Sequence, residues 1–137
     1  MRLWIDTEFN EFKGDLISMA LVGDDGKEWY EVLNCENPGD WVSQNVIPIL
    51  NKPAISKKEM QLSLQKFLSN YREVHIVSDW PEDIKHFCEL LITGPGERIN
   101  TPLLTMEIRR DIDSETSLLP HNALEDARAL KIVGTGV

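Results

Sequence analysis

The chain has 137 residues, 42% of them hydrophobic, and a formal net charge of −9 at pH 7. This length suits a single domain with a substantial core and leaves no room for a separate accessory domain. The negative charge argues against a protein that binds nucleic acid mainly by neutralising phosphates, because such domains usually carry a basic face. No apolar run is long enough to cross a bilayer and no leader precedes the first strand, so we expect a cytoplasmic protein without a membrane partner.

The N-terminal segment Arg2–Phe9 predicts a buried strand that ends in two acids. Residues i and i+2 of a strand point to the same side, so Asp6 and Glu8 converge while Thr7 faces the opposite way. Two carboxylates this close repel each other unless they share a cation, and oxygen ligands favour Mg²⁺ or Mn²⁺. Taken alone, such a pair more often marks a strand end that meets solvent.

The following segments predict an antiparallel meander and two helices. We expect a strand at 16–22, a tight turn at 23–26, a strand at 27–33, a short helix from 40 toward 50 and a helix from 56 to about 70. The two helices are interpreted as packing elements, without catalytic residues.

A second buried strand, at 74–77, leads into a helix that begins with Pro81. Asp79 and Asp83 lie at this junction, and strand-to-helix junctions are where α/β sheets place ligands. The helix is predicted to end at 93–96, followed by a short strand at 103–106 and a charged loop at 109–117.

The last helix is predicted to begin after Asn122, which forms a capping box with Glu125. Asp126 then lies in the first turn, where the electropositive end of the helix keeps a carboxylate ionised. His121 lies just outside the helix, so the pattern places a titratable base beside a charged acid. The glycine-rich end from Gly134 onward is predicted to end this helix early.

With Asp-x-Glu on the first strand and a His followed five residues later by Asp, the chain resembles the DEDDh superfamily of 3′-5′ exonucleases. The segments 4–22 and 77–83 most resemble the small exoribonucleases of the Rv2179c-like type, which are related to ribonuclease T. The resemblance covers nearly the whole chain. It implies an α/β ribonuclease H-like fold in a single domain over 1–137, with a mixed central sheet, an N-terminal antiparallel meander and flanking helices. It also implies a homodimer.

The resemblance further implies two Mg²⁺ or Mn²⁺ ions and a His general base. The implied site residues are Asp6, Glu8, Asp83 and Asp126 as metal ligands and His121 as the base. For the middle acid, the family pattern Asn-x-x-Phe-Asp aligns Asp79 with the Asn and Asp83 with the ligand. Asp83 is preferred and Asp79 stays an alternative, because Glu82 replaces the aromatic residue of the pattern.

Substrate contacts are expected from Phe9, Trp80, Asp79 and Arg109. The two aromatic rings could stack on terminal bases, although core packing is an equal interpretation of Phe9. Arg109 and its neighbour Arg110 form an adjacent pair of arginines and could contact phosphates, with a solvated loop as the alternative.

We therefore expect hydrolysis from the 3′ end of single-stranded RNA or RNA overhangs. DNA is the alternative substrate. Two other classes of protein remain: a catalytically silent module that binds nucleic acid or a protein, and an acidic structural domain. The His argues against the silent module, because binding needs no general base. The placement of Asp6 and Glu8 in an apolar strand argues against the acidic structural domain.

Overall fold

A computed structural model describes residues 1–136, which form a six-stranded sheet, a separate two-stranded hairpin and four α-helices. The strands are β1 (Arg2–Phe9), β2 (Leu16–Gly23), β3 (Glu28–Leu33), β4 (Ala54–Ile55), β5 (Glu73–Ser78), β6 (Ile92–Gly94), β7 (Glu97–Arg98) and β8 (Leu103–Ile108). The helices are α1 (Asp40–Asn45), α2 (Lys57–Leu68), α3 (Pro81–Leu91) and α4 (Ala123–Thr135), with a 3₁₀ turn at Ile47–Ile49.

The central sheet has the strand order β4-β3-β2-β1-β5-β8. Strands β1, β2 and β3 pair in antiparallel fashion, which is the predicted meander. Strands β5 and β8 extend the sheet in parallel with β1, and β4 pairs in parallel with β3. The predicted α/β class with a mixed central sheet and flanking helices is confirmed, and the arrangement is consistent with a ribonuclease H-like fold.

The alternation of β1 divides its side chains between two buried layers. Leu3 and Ile5 pack in the larger core with residues of α2 and α3. Trp4 faces the other side and packs with Leu130 of α4. Because α2 and α3 cover one face and α4 covers the other, the acids of β1 lie near the N-terminal ends of both α3 and α4.

The end of α4 differs from the prediction. The helix continues through Gly134 to Thr135, and Gly136 caps it with a left-handed φ of 75°. The helix thus ends within the predicted glycine-containing stretch, but at Gly136, and Gly134 itself lies inside the helix. A Cβ at position 134 would lie 2.2 Å from the indole ring of Trp4, so this glycine permits close packing of the helix on β1.

Two short features were not predicted: strand β4 and the β6–β7 hairpin. Their strands have two or three residues, which is too few to show a hydrophobic period. Within residues 1–136, no helix combines the length and apolar character that a membrane span requires.

Candidate active site

Five acids meet at the carboxyl edge of the sheet, where β1 and β5 end. Three carboxylate oxygens lie within 4.8 Å of one another, one each from Asp6, Glu8 and Asp126. One oxygen each from Asp6, Asp79 and Asp83 lie within the same limit. Asp6 therefore belongs to two neighbouring groups of carboxylates, one reaching α4 and the other reaching α3.

Asp83 is the most firmly held of these acids. It lies in the first turn of α3 and is 2% exposed. Its Oδ1 accepts a hydrogen bond from Thr7 Oγ1 at 2.6 Å, and its Oδ2 accepts one from Ser78 Oγ at 2.9 Å. Two neighbouring strands thus fix the orientation of this carboxylate.

Asp126 is positioned by the start of α4. Its Oδ2 accepts a hydrogen bond from the backbone N–H of His121 at 3.2 Å. Asn122 is the N-cap, and its Oδ1 accepts from the backbone N–H of Glu125 at 3.1 Å. The acid therefore has a backbone partner immediately outside the helix.

The capping box predicted at Asn122 is only half formed. The Asn122 N–H donates to the backbone oxygen of Leu119 at 3.1 Å. The Glu125 carboxylate instead accepts a bond from Arg128, one turn further along the helix. An ion pair at i, i+3 spacing thus takes the place of the second half of the box.

Burial and mutual repulsion raise the pKa values of the acids. Burial, followed by repulsion from Asp83 and Glu8, raises the pKa of Asp6 well above its ordinary value. Burial and the charge of Asp126 raise the pKa of Glu8 to about 9. Burial raises the pKa of Asp83 to about 7, although the bonds from Thr7 and Ser78 act in the opposite direction. Without bound cations, ionisation of the cluster is therefore unfavourable, because its like charges repel one another.

Two buried oxygens of the cluster point to a cation. Asp6 Oδ2 and Asp126 Oδ1 have no hydrogen-bond partner within the part of the chain that the structure describes. A buried oxygen without a partner is costly, and a metal ion would satisfy it and relieve the repulsion at once. Carboxylate oxygens are the ligands that Mg²⁺ and Mn²⁺ prefer. The residues present thus fit divalent ions.

His121 lies at the rim of this cluster. Its side chain is exposed, and its backbone has a φ of 73°, which is uncommon for a residue other than glycine. The imidazole packs against Trp41 with ring centroids 4.8 Å apart and an interplanar angle of 82°. Trp41 was missed by sequence reasoning, because its helix was interpreted as a packing element. Its 50% exposure could not be foreseen from the sequence.

Of the predicted substrate residues, two lie at the cluster. Asp79 belongs to the second group of acids. Trp80 follows it and is 47% exposed. The Arg110 guanidinium lies 4.8 Å from the centre of the Trp80 ring and donates to the backbone oxygen of Asp79 at 2.5 Å. Of the two adjacent arginines, Arg110 is therefore the one that lies beside the cluster.

The other two predicted substrate residues have partners within the protein. The Phe9 ring lies 5.0 Å from the His86 ring, measured between centroids. Arg109 forms two hydrogen bonds with Asp111, at 2.7 and 3.1 Å. A substrate contact from either side chain would compete with these interactions.

No family model matches the chain. Two curated proteins of Mycobacterium tuberculosis are similar to it: the 3′-5′ exoribonuclease Rv2179c of strain ATCC 25618 / H37Rv and the 3′-5′ exoribonuclease MT2234.1 of strain CDC 1551 / Oshkosh. Each is 39% identical over 148 aligned positions, which cover 93% of this chain and 88% of the relative. Identity at this level over nearly the full length of both proteins shows common descent. The chain therefore belongs to the family of the mycobacterial 3′-5′ exoribonuclease Rv2179c.

Proposed function

We propose that the chain is a divalent-metal-dependent 3′-5′ exoribonuclease of the DEDDh type, related to ribonuclease T. Its substrate is the 3′ end of single-stranded RNA, and the whole chain acts as one catalytic domain. The observation that carries the proposal is the position of Asp6 in two adjoining groups of acids, beside an exposed histidine. The names of the two relatives support RNA as the substrate.

The acids divide into two ligand sets. Asp6, Glu8 and Asp126 would hold one ion, and Asp6 and Asp83 would hold the other. Bound divalent ions supply positive charge for the attacking water and for the departing 3′ oxygen. Asp83 is favoured over Asp79 as the second ligand, because two hydroxyl donors fix its carboxylate. Asp79 lies in the same group and is the alternative.

His121 accepts the proton that the attacking water loses. Histidine suits this role because its charge changes near neutral pH. The side chain is exposed to incoming substrate, and its own backbone N–H binds Asp126. The base is thereby attached to one of the ligand acids, so it stays near the reacting phosphate.

Trp80 and Arg110, which lie beside Asp79, supply a surface for the RNA. The exposed Trp80 ring can stack on a base without reading its identity. Arg110 lies over the same ring and carries a positive charge at the edge of an acidic site. A chain with a net charge of −9 needs such local features and its metal ions to hold a polyanion.

The test is a degradation assay on 5′-labelled single-stranded RNA and DNA of equal sequence. Each is incubated with Mn²⁺, Mg²⁺ or EDTA. We expect a ladder of products shortened from the 3′ end of the RNA, which EDTA abolishes. Stronger shortening of the DNA would overturn the RNA preference. No cleavage of either strand in Mn²⁺ would favour a silent binding module, and a gel shift on the same strands would then measure binding.

A further inference from the structure

The contact between Trp41 and His121 joins two parts of the chain that are 80 residues apart. The two rings meet nearly at right angles, with centroids 4.8 Å apart. We infer that Trp41 is a positioning residue, which holds the His121 imidazole in the orientation needed to accept a proton. This inference rests on the proposed function, since it assigns a partner to the proposed base.

The backbone of His121 is held by a hydrogen bond, whereas its ring is not hydrogen-bonded within the described residues. The backbone N–H binds Asp126, and the next residue, Asn122, is the N-cap of α4. Neither ring nitrogen forms a hydrogen bond with any group in residues 1–136, and the side chain is exposed. Catalytic histidines usually have a second group that orients the imidazole. Here the indole ring of Trp41 packs against the imidazole ring.

The segment just before Trp41 is held by the residue that follows the strand carrying the first two acids. Asn10 directly follows β1, and its Oδ1 accepts from the backbone N–H of Gly39 at 2.9 Å. Its Nδ2 donates to the backbone oxygen of Asn37 at 2.8 Å. These two bonds fix the segment that leads into α1. The adjacent Val42 is buried against Ile17 of β2.

The far end of the same segment is tied to α4. Asn122 Nδ2 donates to the backbone oxygen of Ile49 at 2.9 Å. The segment from 39 to 49 is thus joined to β1 at one end and to the N-cap beside His121 at the other. This double attachment sets the distance between the Trp41 ring and the His121 ring. A tryptophan on a loosely attached loop would restrain the histidine far less.

Kinetics separate positioning from substrate binding. We expect Trp41→Ala to lower kcat on RNA about tenfold or more, with KM changed less than about twofold, because misplacing a reacting group slows the chemical step. Trp41→Phe should recover most of the loss, because it keeps an aromatic ring. A raised KM with unchanged kcat would overturn the inference and make Trp41 a substrate contact.

A double mutant tests whether the effect passes through His121. His121→Ala alone should lower kcat by about 10² to 10⁴. Adding Trp41→Ala to it should change kcat no further, because the residue to be positioned is gone. An additional tenfold loss in the double mutant would overturn the inference. A His121→Ala variant with wild-type kcat would instead contradict the base in the proposed function.

A second readout needs no activity. The chain has three histidines, so the ring protons of each can be assigned by NMR in the metal-free protein. We expect Trp41→Ala to shift the His121 ring protons, while His75 and His86 stay in place, and Gln44→Ala on the exposed side of α1 to shift none. Unmoved His121 protons in a folded Trp41→Ala variant would overturn the inference whatever the nuclease assay shows.

Discussion

Thr7 Oγ1 donates a hydrogen bond of 2.6 Å to Asp83 Oδ1, across 76 positions of sequence. Thr7 stands between the two acids of β1 and faces the opposite side of the sheet, toward α3. The strand therefore contributes on both sides: Asp6 and Glu8 supply oxygens directly, and the residue between them orients a third acid. Strand β1 thereby positions carboxylates in both groups of acids.

We predict that Thr7→Val weakens Mn²⁺ binding about tenfold to a hundredfold, because groups that orient a metal ligand typically contribute that much. The substitution preserves side-chain shape but removes the hydroxyl donor to Asp83. Titration calorimetry with Mn²⁺ measures the change. Thr7→Ser, which retains the hydroxyl, is the matched control and should bind nearly as the wild type does. Wild-type affinity in Thr7→Val would show that the hydrogen bond is dispensable.

The choice between Asp83 and Asp79 can be made by paired substitutions. We predict that Asp83→Asn loses much more Mn²⁺ affinity and nuclease activity than Asp79→Asn does. The reason is that the Asp83 carboxylate is buried and fixed by two hydroxyls, whereas Asp79 is only half-buried. Both variants keep the size of the side chain, so they are matched. The reverse order would make Asp79 the second ligand.

The raised pKa values of the cluster predict how stability depends on pH without metal. Glu8 has a pKa of about 9 and Asp83 one of about 7, whereas ordinary carboxyl groups titrate near pH 4. Between these values the folded state binds more protons than the unfolded state, so the free energy of unfolding falls as pH rises. In EDTA, the melting temperature should therefore be higher at pH 5.5 than at pH 8.5.

Mn²⁺ should also raise the melting temperature more at pH 8.5 than at pH 5.5, since protons compete for the same oxygens. Glu8→Gln, which cannot ionise, is the control and should flatten the pH dependence in EDTA. A melting temperature that stays level or rises from pH 5.5 to 8.5 without metal would contradict the repulsion between ionised carboxylates in the cluster.

The close packing of Gly134 against Trp4 predicts an effect of substitution on stability alone. A Cβ there would lie 2.2 Å from the Trp4 ring, which is fully buried beneath α4. We predict that Gly134→Ala lowers the free energy of unfolding by about 1–3 kcal/mol, the usual cost of overpacking a core. Chemical denaturation measures it. The double variant with Trp4→Phe should lose less than the sum of the two single changes, because the smaller ring leaves room. Unchanged stability in Gly134→Ala would mean that α4 moves away freely.

The local periodicities account for what the sequence predicts well. The two-residue period of β1 places Asp6 and Glu8 on one side, and the N-cap signal of Asn122 places Asp126 in a first turn. Such patterns depend on neighbours in sequence. They therefore predict the elements and the faces on which the acids lie.

Local sequence patterns do not predict contacts between segments that are distant in sequence. The bond from Thr7 to Asp83 and the packing of Trp41 on His121 depend on how α1 and α3 are placed in space. The choice of Arg109 over Arg110 failed to anticipate that Asp111 pairs with the first and Trp80 with the second. Sequence spacing alone cannot decide which of two adjacent side chains turns toward a site.

The central claim is that Asp6 joins the two groups of acids into one metal centre. The most direct test is titration calorimetry of Mn²⁺ into the wild type and into Asp6→Asn, with folding checked by circular dichroism. We predict two Mn²⁺ ions per wild-type chain and loss of affinity at both sites in Asp6→Asn, because both groups include this carboxylate. A folded Asp6→Asn variant that binds Mn²⁺ as the wild type does would contradict the account.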